Sequence, residues 1–336
     1  MKSILVTGGK GLIGKEICKK YISEGWDVYT WDNESNPYND YSDNLGIDLW
    51  SDVSSLENVF KNYNFNIVSH QASFVSVGES QYKIQKYMDN NIGITSELLQ
   101  AMIETNNFPE QLIFASSMGI YGNNLKTSYE FLHENSCKSP CSFYGISKLC
   151  QEEMIRVFAE TYKVKSVALR YFSVYGNINP LNPLTGVISV SVNKFLNSDY
   201  VEINEDGLQT RDFIHVKDIA DIHYDLYLGK EHNYFEEYNI CSGESFTLKE
   251  IAEYIKNKLN SSKEINYNKL KRKGDIYYVK CFPRKIYDKY GWKSKVNLFS
   301  EIDNYINYVL DNKDKFIIGK DTCKESNQEL IKRGLL

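Results

Sequence analysis

Apolar segments of strand length alternate with longer segments of helical periodicity through residues 1–175. This alternation is typical of repeated βαβ units around a parallel sheet. The predicted strands span 2–7, 27–31, 67–70, 111–116 and 166–170. The predicted helices between them span 12–23, 54–63, 85–104 and 144–162, and several begin with polar residues of the capping type. The pattern therefore predicts an α/β fold with a doubly wound parallel sheet.

The pattern changes beyond residue 175. A turn-rich stretch follows, which contains Asn177, Asn179, Pro180, Asn182 and Pro183. Shorter helices and isolated strands come next, with strands predicted at 200–203 and 238–240. We therefore predict two domains, a larger one over 1–175 and a smaller α/β C-terminal lobe over 176–336 with segments interleaved back into the first.

Positive and negative charges are close to balanced. The 336 residues include 39 Lys and Arg against 44 Asp and Glu, for a net charge of −5. Binding to nucleic acid or to a membrane surface through basic charge is therefore not expected. The hydrophobic share of 42% is that of a globular chain. The apolar run at residues 4–6 is too short for a signal peptide, and no apolar stretch reaches membrane-spanning length.

Seven cysteines are scattered along the chain, an odd number that favours free thiols in a reducing compartment. We therefore expect a cytoplasmic protein. His133, Cys137 and Cys141 stand at i, i+4 and i+8, a spacing that would place three metal ligands on one helix face. Pro140 interrupts this stretch and a fourth ligand is missing, so we expect an ordinary loop and no metal.

A glycine-rich turn, TGGKGLIG, follows the first predicted strand directly. Gly8, Gly11 and Gly14 stand at G-x-x-G-x-x-G spacing, which permits a tight turn, approach of the backbone to a pyrophosphate and close helix–strand packing. Asp32 ends the second strand, near the usual offset of an acid that binds the adenosine ribose. Its carboxylate would repel a 2′-phosphate, and Asn33 carries no compensating charge. The turn predicts a Rossmann-type dinucleotide site that binds NAD and not NADP.

Tyr144 and Lys148 form a Y-x-x-x-K pair on one face of a predicted helix. A tyrosine titrates near 10, so its use as a base at neutral pH requires a pKa lowered by about 3. A nearby ammonium and a nicotinamide cation could lower it together. The pair suits hydride transfer at a hydroxyl-bearing carbon, although the same spacing also occurs on ordinary surface helices.

Six motifs in order resemble the extended short-chain dehydrogenase/reductases that act on nucleotide sugars: TGGKGLIG, FASSMGIYG, YGISK, RYFSVYG, QTRDFIHVKDIAD and RKGD. The resemblance covers nearly the whole chain and is strongest to the 4-epimerases. VGESQYKIQKYMDNNIG is similar to a stretch of UDP-galactose 4-epimerases, and NPLTGVIS and EDGLQTRDFIHV also resemble dTDP-L-rhamnose 4-epimerases. This implies an NAD-dependent isomerase that inverts C4 of a nucleoside-diphosphate hexose through a 4-keto sugar.

The resemblance also implies roles for single residues. Tyr144 would be the base, Lys148 its electrostatic partner and Ser117 the hydroxyl that completes the proton network at the sugar oxygen. The implied cofactor-binding residues are Gly8, Gly11, Leu12, Ile13, Gly14, Asp32, Asn33, Asp48, Leu49, Gln71, Ala72, Asn90, Tyr144, Lys148 and Phe172. The implied substrate-binding residues are Ser117, Ser173, Val187, Glu202, Ile203, Arg211, Arg272 and Asp275.

Within the implied substrate site, Arg211 and Arg272 would hold the diphosphate, for which planar bidentate donors are suited. Asp275 would lie near the nucleoside ribose. A solvated basic cluster is the other interpretation of Arg272. His70 and His215 end strands, and we expect them to be packed or hydrogen-bonded to backbone.

Four residues depart from the family pattern. Ser173 stands where an Asn usually binds the diphosphate, and Val75 stands where UDP-galactose 4-epimerases carry a Lys. Met118 and Gly119 occupy the positions of the acid and base of 4,6-dehydratases, so dehydration lacks its proton donors. The alternatives to 4-epimerisation are a reductase or a 2- or 5-epimerase acting on the same keto intermediate, or a non-catalytic NAD-binding sensor.

The resemblance further implies a homodimer and a place in carbohydrate metabolism, including polysaccharide biosynthesis. The intact set of Ser117, Tyr144 and Lys148 argues against a sensor without catalysis. The identities of the nucleotide base and of the sugar stay open at this point.

Overall fold

The computed structural model describes residues 2–34, 45–50, 55–127, 129–182, 186–229, 233–316 and 322–336. Its strands are β1 (Ser3–Thr7), β2 (Asp27–Trp31), β3 (Ile47–Asp48), β4 (Ile67–His70), β5 (Gln111–Ser117), β6 (Lys165–Tyr171), β7 (Ser173–Tyr175), β8 (Val201–Ile203), β9 (Thr210–His215), β10 (Phe235–Ile240), β11 (Ser245–Thr247) and β12 (Ile265–Tyr267). Its α-helices are α1 (Leu12–Ser23), α2 (Leu56–Asn62), α3 (Val77–Ser80), α4 (Ile84–Tyr87), α5 (Gly93–Thr105), α6 (Phe143–Tyr162), α7 (Val187–Asn197), α8 (Val216–Leu228), α9 (Leu248–Lys258), α10 (Arg284–Tyr290), α11 (Leu298–Asp311), α12 (Lys313–Phe316) and α13 (Thr322–Lys332).

Seven parallel strands form one large sheet in the order β10-β6-β5-β4-β1-β2-β3. Every residue of β4 and β5 is buried, as expected where helices cover both faces of a parallel sheet. The successive residues Ile4 and Leu5 of β1 belong to two different core clusters, one on each face. The doubly wound fold and the five strands predicted in its first part are confirmed, with their ends within one residue.

The helix predicted over 85–104 is interrupted by a π-helical turn (Met88–Ile92) between α4 and α5. A π turn widens the helix locally and often marks a functional position. Here it buries Asn91, whose amide donates to the Ser147 hydroxyl on α6 at 3.0 Å. The helix predicted over 54–63 begins at Leu56, and Ser54 lies outside the described residues.

The C-terminal part of the chain builds smaller units. β7, β9 and β11 form a three-stranded sheet, and β8 pairs with β12. β10 returns to the large sheet and pairs with β6, from Phe235 beside Ser166 to Ile240 beside Tyr171. The division of the chain at residue 175 stays a prediction. Among the described residues, no helix has both the length and the apolar character to cross a membrane.

Candidate active site

The glycine turn, the segment after β4 and the end of β5 meet at one edge of the large sheet. β1 and β4 are neighbours in the sheet although β2 and β3 separate them in the chain, so the strand order reverses there. Ligands of open α/β sheets bind outside the carboxyl ends of the strands at such a reversal. Gly8, Gln71 and Ser117 lie at or just beyond these ends.

The glycine turn has the shape that a dinucleotide requires. Gly8 has a positive φ of 68°, and a Cβ built on it would lie 2.8 Å from the Ala72 Cα. A Cβ on Gly14 would lie 2.2 Å from the Gly8 carbonyl oxygen, whereas one on Gly11 would meet only that oxygen, at 3.3 Å. Within the described residues, no side chain caps the first turn of α1. Its amides can therefore bind a pyrophosphate.

Asp32, directly after β2 and beside this turn, accepts from two backbone amides. Lys10 N donates to Asp32 Oδ2 and Glu34 N donates to Asp32 Oδ1, each at 3.0 Å. Burial raises the pKa of Asp32, and these two bonds oppose the increase. The Lys10 ammonium reaches Asp48 Oδ2 at 2.6 Å and also pairs with Glu34. The sequence reasoning overlooked this lysine inside TGGKGLIG, which carries a charge beside the ribose position but is neutralised by two carboxylates.

The three predicted catalytic side chains come together at the end of β5. Gly119 N donates to Ser117 Oγ at 3.1 Å, and the Ser117 hydroxyl is close enough to the Tyr144 phenol to lower its pKa. Lys148 is 2% exposed, and its ammonium donates to the Ala115 carbonyl at 2.9 Å. A Cβ on Gly119 would lie 3.3 Å from Ser117 Oγ. A side chain at position 119, such as the acidic one that 4,6-dehydratases carry there, would crowd this hydroxyl.

Burial is the largest cause of the pKa shifts of Tyr144 and Lys148. Burial raises the pKa of Tyr144, with the Ser117 hydrogen bond acting in the opposite direction, and lowers the pKa of Lys148 to about 7. The sequence reasoning expected Lys148 and a nicotinamide cation to lower the pKa of Tyr144. In this structure burial disfavours the charged form of both side chains, and the effect of a bound nicotinamide cation on Tyr144 stays a prediction.

A buried ion pair supports the same helix one turn beyond Lys148. Arg170 on β6 is 1% exposed and Glu152 on α6 is fully buried. Arg170 Nη2 donates to Glu152 Oε1 at 2.7 Å, and Ser116 Oγ donates to Glu152 Oε2 at 2.6 Å. The pair joins α6 to β5 and β6 directly beside the catalytic residues. Sequence reasoning missed it, although Tyr144, Lys148 and Glu152 share the i, i+4, i+8 spacing of one helix face.

On the substrate side, Arg211, Arg272 and Asp275 form one charged cluster. Arg272 donates to both carboxylate oxygens of Asp275 at 2.8 Å. Burial lowers the pKa of Arg211, Asp275 raises it and Arg272 lowers it again. Cys141 Sγ donates to the Gly274 carbonyl at 3.2 Å and ties the cluster to the start of α6. Arg272 thus pairs with Asp275, and Arg211 lies within electrostatic range of both while its own Nη1 donates to the Thr210 carbonyl at 2.8 Å.

The remaining predicted residues are distributed over both parts of the chain. Leu49 and Phe172 are buried, and Phe172 N donates to the Ile240 carbonyl at 3.2 Å. Asn90 lies in the π turn, Ser173 begins β7, Val187 begins α7, and Glu202 and Ile203 end β8. The contacts of all these residues with ligands stay predictions.

The two histidines at strand ends have structural partners. His70 lies between the Thr7 and Thr95 hydroxyls at 2.8 Å each, and burial lowers its pKa to about 3. His215 Nδ1 accepts from Lys217 N at 3.3 Å and caps α8. These contacts account for both histidines without a catalytic role.

Comparisons with known proteins agree with this geometry. The model of the NAD dependent epimerase/dehydratase family matches residues 4–241. A putative UDP-glucose 4-epimerase of Methanocaldococcus jannaschii is 31% identical over 314 residues, which cover 92% of this chain and 99% of that protein. The structure of UDP-glucose 4-epimerase from Thermotoga maritima with UDP-glucose is 28% identical with a TM-score of 0.83, over 93% of this chain and 99% of that one. The structure of the Thermus thermophilus UDP-glucose 4-epimerase in complex with NAD is 27% identical with a TM-score of 0.80, over 91% of this chain and 98% of that one.

These matches confirm the Rossmann-type fold, NAD as the cofactor and an NAD-dependent nucleotide-sugar epimerase as the class of enzyme. They also confirm the resemblance to nucleotide-sugar 4-epimerases that the six motifs indicated. The chain belongs to the NAD-dependent epimerase/dehydratase family.

Proposed function

We propose that this chain inverts C4 of a UDP-hexose through a 4-keto sugar. The observation that carries the proposal is the grouping of Ser117, which accepts from Gly119 N, with Tyr144 and the buried Lys148 at the same sheet edge as the glycine turn. Uridine is favoured as the base because the relatives named above are UDP-glucose 4-epimerases.

Gly8, Gly11 and Gly14 would hold NAD along the glycine turn, where it would supply reversible hydride acceptance at C4 of the sugar. Tyr144 would accept the proton of the 4-hydroxyl and give it back after inversion. Ser117, polarised by the Gly119 amide, would donate to the phenolate oxygen. Lys148 would stabilise that phenolate when charged, and its pKa of about 7 makes the charge sensitive to pH near neutrality.

Inversion also requires that the keto sugar turn over while the rest of the substrate stays bound. Arg211 and Arg272 would hold the diphosphate during this rotation, because planar guanidinium groups suit phosphate oxygens. Asp275, which now accepts from Arg272, would then be released to bind the ribose of the nucleoside or would share Arg272 with the phosphate.

We further propose a cytoplasmic homodimer that serves carbohydrate metabolism, including polysaccharide biosynthesis. α6 carries Ile146 and Val157 on one face, 43% and 52% exposed, which favours contact with a second copy. The six cysteines with described surroundings are free thiols, which favours a reducing compartment. Sedimentation of wild type and of Val157→Asp tests the dimer, which the substitution should dissociate.

The test of the activity is isotopic. The protein would be incubated with UDP-, dTDP-, GDP- and CDP-hexoses, and the products would be resolved by NMR. For the best substrate, deuterium at C4 should stay at C4 in both epimers, solvent deuterium should not enter the sugar, and no NADH should be consumed. Solvent label at C5 would indicate a 5-epimerase, transfer of label to C6 a dehydratase, and demand for NADH a reductase, and each would overturn the proposal.

A further inference from the structure

The last helix of the chain, α13, and the residues after it pack against two segments beside the substrate arginines. Leu330 on α13 is 3% exposed, and its Cδ1 would lie 3.4 Å from a Cβ built on Gly78. Lys273 N donates to the Leu335 carbonyl at 2.9 Å. The C-terminal residues thus contact the 76–83 segment and supply a hydrogen bond to the loop at 272–275.

Gly78 lies between Leu330 and Arg272. The same built Cβ on Gly78 would lie 3.6 Å from Arg272 Cδ and 3.7 Å from Arg272 Nη1. Leu330 and Arg272 therefore both flank Gly78, so the α13 side chain and the arginine pack beside the same backbone position.

The two segments are also joined to each other and to the start of the catalytic helix. Gln81 Nε2 donates to the Lys273 carbonyl at 3.2 Å and to the Cys141 carbonyl at 3.3 Å. Cys141 stands three residues before Tyr144. Arg333, after α13, adds a cation–π contact with the Tyr82 ring at 4.7 Å. A displacement of α13 would therefore shift the 76–83 segment and, with it, the position of Arg272.

We propose that Leu330 is a positioning residue for nucleotide-sugar binding, which holds the 76–83 segment and the Arg272 loop in the conformation that binds the diphosphate. This inference rests on the proposed function, because the contact between Arg272 and phosphate is itself proposed. When the loop is held before the substrate arrives, less conformational entropy is lost on binding. Loss of the support should weaken substrate binding and leave the glycine turn and Tyr144 unaffected.

The experiment compares Leu330→Ala with Ile331→Ala in the full chain. Ile331 is the next residue of the same helix and is 52% exposed, so it serves as the matched control. For Leu330→Ala we expect the KM for UDP-glucose and the Kd for UDP to rise about tenfold, with kcat and the Kd for NAD within about twofold. The Lys273 amide should exchange faster with solvent, and Leu330→Met should restore the wild-type KM.

A second variant keeps the inference falsifiable. Deletion of residues 335–336 removes the acceptor of the Lys273 amide, and it should raise the Kd for UDP even if Leu330→Ala fails to fold. Unchanged Kd and KM in both variants would overturn the inference. So would a fall in melting temperature in which kcat, KM and NAD affinity change together, since that pattern marks a merely structural role.

Arg272→Ala, measured in parallel, separates this inference from the proposed function. If Arg272→Ala weakens UDP binding and Leu330→Ala does not, the positioning role fails and the proposed function stands. If Arg272→Ala leaves UDP binding unchanged, the proposed diphosphate site fails, and the positioning role fails with it.

Discussion

The residues at the ends of β1, β4 and β5 and the residues around Arg272 reach the candidate site by different routes. The first group is delivered by neighbouring parallel strands, whose carboxyl ends share an edge by topology. Arg211 lies on β9, whereas Arg272 lies in a loop after β12 that is held by specific contacts, such as those of Gln81 with Lys273 and of Cys141 with Gly274.

The two regions differ in how rigidly their residues are held and in the function proposed for them. β4 and β5 are buried along their whole length, so the cofactor edge and the catalytic hydroxyls are held by a rigid sheet. β8, β11 and β12 are three residues each, and the site there depends on loops. The sequences of loops vary more easily than those of the strands that carry them. Specificity for the nucleotide sugar can therefore differ between relatives that share the same catalytic residues. The following predictions test this separation.

The largest expected effect is on the chemical step. Tyr144→Phe should lower kcat by about three powers of ten or more, because it removes the base while the buried ring stays in place. Steady-state kinetics would measure the loss, and NAD binding and the melting temperature should stay near wild type. Tyr162→Phe, at the exposed end of the same helix, is the control. Full activity of Tyr144→Phe would remove this residue from the mechanism.

The rigidity of the sheet region can be tested at its buried ion pair. Arg170→Met should lower the free energy of unfolding by about 3–5 kcal/mol, because the Glu152 carboxylate would stay buried without its bidentate partner. Arg156→Met, which breaks solvent-exposed pairs with Glu153 and Glu160, should cost about 0–1 kcal/mol. Urea unfolding measures both. Equal losses of unfolding free energy in the two variants would show that the burial of the Arg170–Glu152 pair does not affect stability.

Burial of Lys148 predicts a stability that depends on pH. The folded state holds its pKa at about 7 against a usual 10.5, so the buried ammonium costs stability fully below pH 7, and the cost disappears as pH rises toward 10.5. Lys148→Met should therefore be more stable than wild type by a few kcal/mol at pH 6, with a gain that shrinks between pH 7 and 10. Thermal unfolding across pH checks this, and a gain independent of pH would contradict it. Activity should be lost throughout.

Within the substrate side, Arg211→Ala should raise the KM for the nucleotide hexose by about tenfold to hundredfold, because a charge-assisted contact is lost. NAD affinity should not change. Lys217→Ala, an exposed cation near the end of β9, is the control for net charge. A matching loss of NAD affinity would show that the two regions are not separate in function.

An effect of similar size, on NAD and not on the sugar, is expected at the adenosine end. Asp32→Ala should weaken NAD binding by about 1–3 kcal/mol through loss of the ribose contact, with kcat at saturating NAD near wild type. Because Asp32 also accepts from two backbone amides, Asp32→Asn, which keeps one acceptor oxygen, should lose less. Calorimetric titration with NAD distinguishes the two. Unchanged affinity in Asp32→Ala would mean that the ribose binds elsewhere.

Much of the sheet region could be predicted from local patterns. Buried strands are continuous apolar runs bounded by turn residues, so β2 and β4 were predicted with the bounds that the structure has. The helical period of 3.6 residues places Tyr144 and Lys148 on one face before any tertiary contact is known. The π turn was not predictable in this way, because a continuous apolar periodicity does not reveal one inserted residue at Asn91.

The contacts around the site were harder to predict because their partners lie far apart in the chain. Lys10 reaches Asp48, Glu152 on α6 reaches Arg170 on β6, and Leu330 supports a segment more than two hundred residues before it. A sequence pattern identifies a charged or apolar residue but not its partner. The raised pKa of Tyr144 in this structure has a non-local origin as well, because burial depends on everything packed around the ring.

The sequence by itself determined the parallel α/β architecture, the glycine turn after β1, and the placement of Tyr144 and Lys148 on one helix face. These features depend on residue type at short spacing, where backbone geometry permits few alternatives. The tertiary structure decided which side chains are desolvated, how the Arg272 loop is held, and where the C-terminal helix packs. Those outcomes depend on non-local packing, whose free energy arises only when distant segments exclude water together.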